Sequence, residues 1–218
     1  MRLFTGLAVP PPVLKNLEAV LADIQTELQP LARLKWSPPQ NLHITTKFIG
    51  EWPESRLNEL TGALARIPRS GAFPLELRGF GLLPDPRRPR IFHAAVHAGP
   101  ALHALAAATD RALSALGCAR EPRAYQPHLT LARIPDDNTT QLRDKIATMT
   151  NSDFGHFLAT EFHLYRSQPG TRNSVYTKLA TFPLSPPATE PNATKLSTTK
   201  LSAPEPGAPE PTAAEPNA

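Results

Sequence analysis

The sequence predicts an α+β fold whose sheets are at least partly antiparallel. Three observations predict it. Strand-like runs alternate with apolar residues at helical spacing, several strands are separated by enough chain for a helical crossover, and two pairs of strands are joined by turn-rich segments. At 218 residues the chain is long enough for one domain with a sizeable core, or for a domain of two similar halves.

Residues 2–9 read as a strand. Pro12 then sits where a first helical turn tolerates proline, and Leu14, Leu17, Val20, Leu21, Ile24 and Leu28 follow at helical spacing. Leu42–Ile49 reads as a strand, and a helix after Pro53 carries Leu57, Leu60, Leu64 and Ile67. Phe73–Gly81 and Arg90–Ala98 form a hairpin across the proline-rich turn Leu82–Pro89. Leu102–Leu116 is an alanine-rich helix closed by Gly117 in the C′ role. His128–Ile134 is a further strand and residues 138–149 a fourth helix. Phe157–Arg166 and Ser174–Phe182 read as the last hairpin.

Composition divides the chain into a body, residues 1–184, and a tail, residues 185–218. The tail lacks Val, Ile, Phe, Tyr, Trp, Met and Cys and repeats Thr-Lys-Leu-Ser, so it buries too little apolar area to offset its chain entropy and is expected to be disordered. Its two lysines and four glutamates give it a net charge of −2, which leaves the body at +6 within a chain of +4. A basic body suits a polyanionic ligand. The single cysteine, Cys118, rules out an intramolecular disulfide and a cysteine-based zinc site. The N-terminus lacks the apolar region and cleavage site of a signal peptide, and no apolar run approaches the ~20 residues of a membrane span, so a cytoplasmic location is expected.

Two strands carry the chemistry. Leu42-His43-Ile44-Thr45-Thr46-Lys47-Phe48 and Pro127-His128-Leu129-Thr130-Leu131-Ala132-Arg133 each contain His-x-Thr. A strand alternates faces, so each presents an imidazole and a hydroxyl on one side, with Ile44 or Leu129 turned to a core behind. Convergence of the two would suit phosphodiester hydrolysis without a metal. One neutral imidazole takes a proton from water, the other as imidazolium protonates the leaving oxygen, and Thr45 and Thr130 hold the non-bridging oxygens. Arg133 offers a fork that matches phosphate. Strand alternation points it to the opposite face, so it reaches the groove only through a twist or bulge.

On these motifs the chain resembles the 2H phosphoesterase superfamily, and more closely the bacterial and archaeal RNA 2′,3′-cyclic phosphodiesterases formerly called 2′-5′ RNA ligases. The resemblance spans the body, including Arg2-Leu3-Phe4, Trp36-Ser37-Pro38-Pro39-Gln40-Asn41-Leu42-His43, Lys47-Phe48-Ile49-Gly50, Leu164-Tyr165-Arg166-Ser167, Gly170 and Tyr176. It implies a bilobal, pseudo-symmetric fold with two mostly antiparallel sheets flanking a central groove and helices outside. It also implies hydrolysis of an RNA terminal 2′,3′-cyclic phosphate to a 2′-phosphomonoester by a monomeric protein without a cofactor. His43 would be the proton donor and His128 the acceptor. Phe48 would stack on the terminal base, against an equal reading as a core aromatic. Joining or cleaving 2′-5′ linkages at the same site, and a catalytically silent RNA-binding module, are the alternatives. The intact histidines and threonines speak against the silent module.

Two departures stand out. Thr46 occupies a position that is usually apolar in the family and should face away from the phosphate. His93 stands where relatives often carry tryptophan, and reads as a polar strand residue ahead of a base-stacking one. His93 and His97 are spaced i, i+4 but lack the glutamate and the helix of a zinc site. Arg87, Arg88 and Arg90 form a basic hairpin tip whose first reading is a solvated turn.

Overall fold

A computed structural model describes residues 1–68, 70–135, 139–149, 152–171 and 173–184. The tail expected at 185–218 lies outside these residues, as does Asn138 at the start of the fourth predicted helix. Described in chain order are β1 (Arg2–Ala8), α1 (Pro11–Leu28), β2 (Lys35–Trp36), β3 (His43–Glu51), α2 (Leu57–Ala65), β4 (Phe73–Leu83), β5 (Ile91–Ala98), α3 (Pro100–Ser114), β6 (His128–Arg133), α4 (Thr140–Ala147), β7 (Asp153–Ala159), β8 (Glu161–Gln168) and β9 (Val175–Pro183).

The helices form where the apolar spacing demands a buried stripe. In α1, Pro11 and Pro12 start the helix where missing N–H groups cost nothing, and Val13, Leu17, Leu21, Ile24 and Leu28 are buried. Burying each such side chain is worth roughly 1.5–3 kcal/mol. Helix α3 ends at Ser114, and the chain turns on through Gly117 at φ 94, a conformation that favours glycine.

All paired strands are antiparallel, in the order β7-β4-β5-β6-β3-β1-β8-β9, with β2 paired to β6. The two expected sheets are the halves of this nine-stranded sheet, β7-β4-β5-β6 and β3-β1-β8-β9. They meet through one registered pair, Ile44 with Leu129. Helices α1 and α4 pack against β7 and β4 of the first half, while α3 and α2 pack against β3 and β9 of the second.

The run Phe157–Arg166 is a correction. It is not one hairpin strand but two strands that part at Thr160: β7 pairs with β4, and β8 pairs with β1 and β9. The chain stays extended while it changes partners. Side-chain periodicity reports extension and is silent about partners, so the passage from one half to the other leaves no mark on the pattern. The short strand β2, at two residues, has no apolar pattern by which the sequence could signal it.

Candidate active site

The pinch between the halves brings the two motifs together. Ile44 and Leu129 are opposite each other and fully buried. Alternation then turns the residues on either side of each, His43 and Thr45, and His128 and Thr130, to the other face. Around the Ile44–Leu129 pair the two units are related by an approximate two-fold axis, the position of each histidine falling opposite that of the other strand's threonine. The histidines occupy diagonal positions, which lie roughly 7–8 Å apart in an antiparallel pair.

A β-bulge follows each motif. On β3 the partners of Thr5 and Gly6 are Lys47 and Thr45, so Thr46 is the extra residue. On β6 the partners of Phe92 and His93 are Ala132 and Thr130, so Leu131 is extra. Thr46 faces away from the site, buried, with its hydroxyl 2.7 Å from that of Thr5. Each bulge shifts the alternation by one, burying Lys47 and Ala132 and returning the fifth residue after each histidine to the groove. Those residues are Phe48 and Arg133. Phe48 is exposed (60%) rather than a core aromatic, and Arg133 reaches the groove by the bulge that its position required.

Both histidines are held alike. His43 Nδ1 lies 2.7 Å from the carbonyl of Asn41, and His128 Nδ1 lies 2.8 Å from that of Gln126. A carbonyl only accepts, so Nδ1 carries the proton in each ring and Nε2 is left for chemistry. His43 Nε2 in turn accepts from the Thr45 hydroxyl at 2.9 Å.

Their surroundings differ. The ring of His43 packs against Phe4 (centroids 4.6 Å), Tyr176 (5.3 Å) and Tyr165 (5.9 Å). Burial pushes its pKa down to about 4, the Asn41 carbonyl opposes this, and the charge of His128 adds to it. The pKa of His128 is also lowered by burial, against the pull of the Gln126 carbonyl. β1 passes close beneath His43 at Gly6, where a Cβ would come 2.8 Å from the Ile44 carbonyl oxygen and 3.3 Å from His43 Cδ2.

A groove of about 230 Å³ is walled by His43, Thr45, Thr130, Phe48, Arg133 and Tyr176, with residues 35–38, Asn41 and the 173–174 segment completing it. Asn41 ties that segment down by donating from Nδ2 to the Ser174 carbonyl at 2.6 Å. His128 lies just outside these walls, on the same face as Thr130, its ring 5.6 Å from that of His93. His93 also faces this side, opposite Thr130, and is buried over Gly81, where a Cβ would clash with its Nε2 at 2.6 Å. Burial lowers its pKa to about 4.

His97 is exposed and donates from Nε2 to the Arg78 carbonyl. Among the described residues no three His, Cys, Asp or Glu side chains gather at one point. At the hairpin tip Arg87 pairs with Asp85, and Arg90 donates to the Pro135 carbonyl, in keeping with a self-contained turn. The motifs do not predict the aromatic wall of Phe4, Tyr165 and Tyr176 or the carbonyls behind the histidines. The wall comes from β1 and from the β8–β9 pair, all outside the strand that carries His43, and a backbone carbonyl has no residue signature.

A sheet pinched at two His-x-Thr strands, with both imidazoles presenting Nε2 to one face, defines a two-histidine phosphoesterase. The LigT-like phosphoesterase model matches residues 7–93 and 95–176, and the chain belongs to that family, within the 2H phosphoesterase superfamily. A Methanocaldococcus jannaschii protein named RNA 2′,3′-cyclic phosphodiesterase is 30% identical over 81% of this chain and 96% of its own length. An Archaeoglobus fulgidus protein of the same name is 28% identical over 84% and 99%. Among solved structures, TT0787 of Thermus thermophilus superposes with a TM-score of 0.68 at 28% identity, covering 85% of this chain and 99% of that one. Escherichia coli LigT complexed with 3′-AMP shares the fold, with a TM-score of 0.68 at 23% identity over 84% and 97%. No helix among the described residues is long and apolar enough to cross a membrane.

Proposed function

We propose that the protein hydrolyses the 2′,3′-cyclic phosphate at an RNA end to a 2′-phosphomonoester by two-histidine general acid–base catalysis without a metal. The observation that carries the reading is the pair of His-x-Thr units on one face with the same tautomer fixed in both rings. The shared name of the archaeal relatives supplies the substrate class.

In this reading His128 Nε2 takes a proton from water as the water oxygen bonds to phosphorus. His43 Nε2 donates a proton to the ribose 3′ oxygen as its bond to phosphorus breaks. The Thr45 and Thr130 hydroxyls and the Arg133 fork hold the phosphate oxygens, and Phe48 stacks on the terminal base. A bound phosphate anion opposes the burial that keeps both imidazoles neutral, and the Phe4 face 4.6 Å from His43 favours the imidazolium there.

The test is turnover of a nucleoside 2′,3′-cyclic phosphate by purified protein in EDTA, with phosphorus NMR to identify the product. A 2′-monophosphate is expected, and His128→Ala should lower kcat by at least about 10²-fold. Loss of turnover on chelation, or a His128→Ala variant at full rate, would overturn the mechanism.

A further inference from the structure

Strand β2 pairs with β6 so that Lys35 stands directly opposite Arg133. Like charges at directly opposed positions destabilise an antiparallel pair. Both side chains are exposed, and neither makes a hydrogen bond or an ion pair with a described residue. Both line the groove that holds His43, Thr45 and Thr130, and no carboxylate among the described residues lines it.

The arrangement is built in. Ser37 N–H donates to the carbonyl of Leu131 at 2.8 Å, so the bulge residue that turns Arg133 into the groove also anchors the strand carrying Lys35. Trp36 fixes the same strand by packing edge-on to Phe92, with centroids 5.9 Å apart. Two opposed cations held beside a phosphate site are relieved by an anion placed between them. Arg133 stands beyond Thr130 on the same strand face, so that anion lies next along the groove from the reacting phosphate.

We propose that Lys35 and Arg133 form a subsite for the internucleotide phosphate one step 5′ of the reacting ribose, so that the groove takes an oligonucleotide end in preference to a mononucleotide. The inference rests on the reading of the groove as a phosphodiesterase site. It adds Lys35 to the substrate contacts and gives Arg133 a second phosphate to hold.

Equilibrium titration with a nucleoside 2′-phosphate and with a dinucleotide ending in 2′-phosphate, across a range of salt, tests it without requiring turnover. The wild-type protein is expected to bind the dinucleotide about tenfold more tightly, a single phosphate lying between two cations. Lys35→Gln should cut that advantage about fivefold and reduce the dinucleotide salt slope by roughly 0.7. Lys35→Arg should restore both, and Arg111→Gln on α3, behind β3, should leave the ratio as it is. Equal wild-type binding of the two ligands, or an unaltered ratio in Lys35→Gln, would overturn the subsite. Absence of turnover with these binding ratios intact would instead overturn the proposed hydrolysis and leave the subsite standing.

Discussion

At the scale of single residues, the two histidines share a tautomer and differ in their surroundings. The carbonyls of Asn41 and Gln126 each hold an Nδ1 proton, so proton exchange is confined to Nε2 in both rings. Burial lowers the pKa of each, to about 4 for His43. In the free protein both pKa values therefore lie below the ordinary 6.5, whichever histidine serves as acid. A bell-shaped kcat/KM profile reports the free protein, so its centre should fall below about pH 6.5. The kcat profile should sit higher, because bound phosphate favours the charged ring. Steady-state kinetics from about pH 4 to 9 checks this, and a kcat/KM bell centred at about pH 7 or above contradicts it.

At the scale of elements, the bulges at Thr46 and Leu131 organise the site. Each returns a fifth residue to the groove, and on β3 the same shift sends Lys47 to the opposite side. There Lys47 Nζ donates to Asp110 of α3 and to the Ala119 carbonyl, both at 2.6 Å, while Asp110 also accepts from the Glu121 N–H. Tyr125 donates its hydroxyl to the Thr45 carbonyl at 2.8 Å. The segment leading into the second motif is thus fastened to the strand of the first. Lys47 is nearly inaccessible and Asp110 22% exposed. Lys47→Met, which strands the carboxylate, is expected to destabilise the fold by about 3 kcal/mol, and adding Asp110→Leu should recover part of the loss. Denaturant titration of the single and double variants measures it. A single variant as stable as wild type would show that the pair contributes little.

At the scale of the whole molecule, the folded state holds several histidines away from protons. His43 and His93 are lowered to about 4, and His128 and His163 are lowered too, all four chiefly by burial. Their depressed folded values favour the neutral form, so the unfolded chain binds more protons once pH falls below about 6.5. Stability is therefore full above that pH and declines as pH falls toward about 4, by up to about 1.4 kcal/mol per pH unit for each such histidine. The melting temperature should drop over this window, and His93→Phe should make the drop shallower. A melting temperature independent of pH across the window, or an equal slope in His93→Phe, would contradict the account.

Local chemistry in the sequence is enough for most elements, since apolar periodicity and turn residues act within a few positions of one another. It is also enough for the histidines and threonines, because a strand's two-residue period puts His43 with Thr45 and His128 with Thr130 whatever they pair with. Arg133 marks the limit of that reasoning: alternation points it away, and a bulge specified by the pairing of β5 with β6 turns it back. Phe48 stands between core and groove in the sequence for the same reason. The break at Thr160, the aromatic wall of His43 and the opposition of Lys35 to Arg133 depend on which strands become neighbours. Neighbour choice follows from burying the whole core at once, a property of the folded sheet that no single segment carries. The sequence by itself determined which histidines and threonines share a strand face, and the tertiary structure decided which other residues stand beside them.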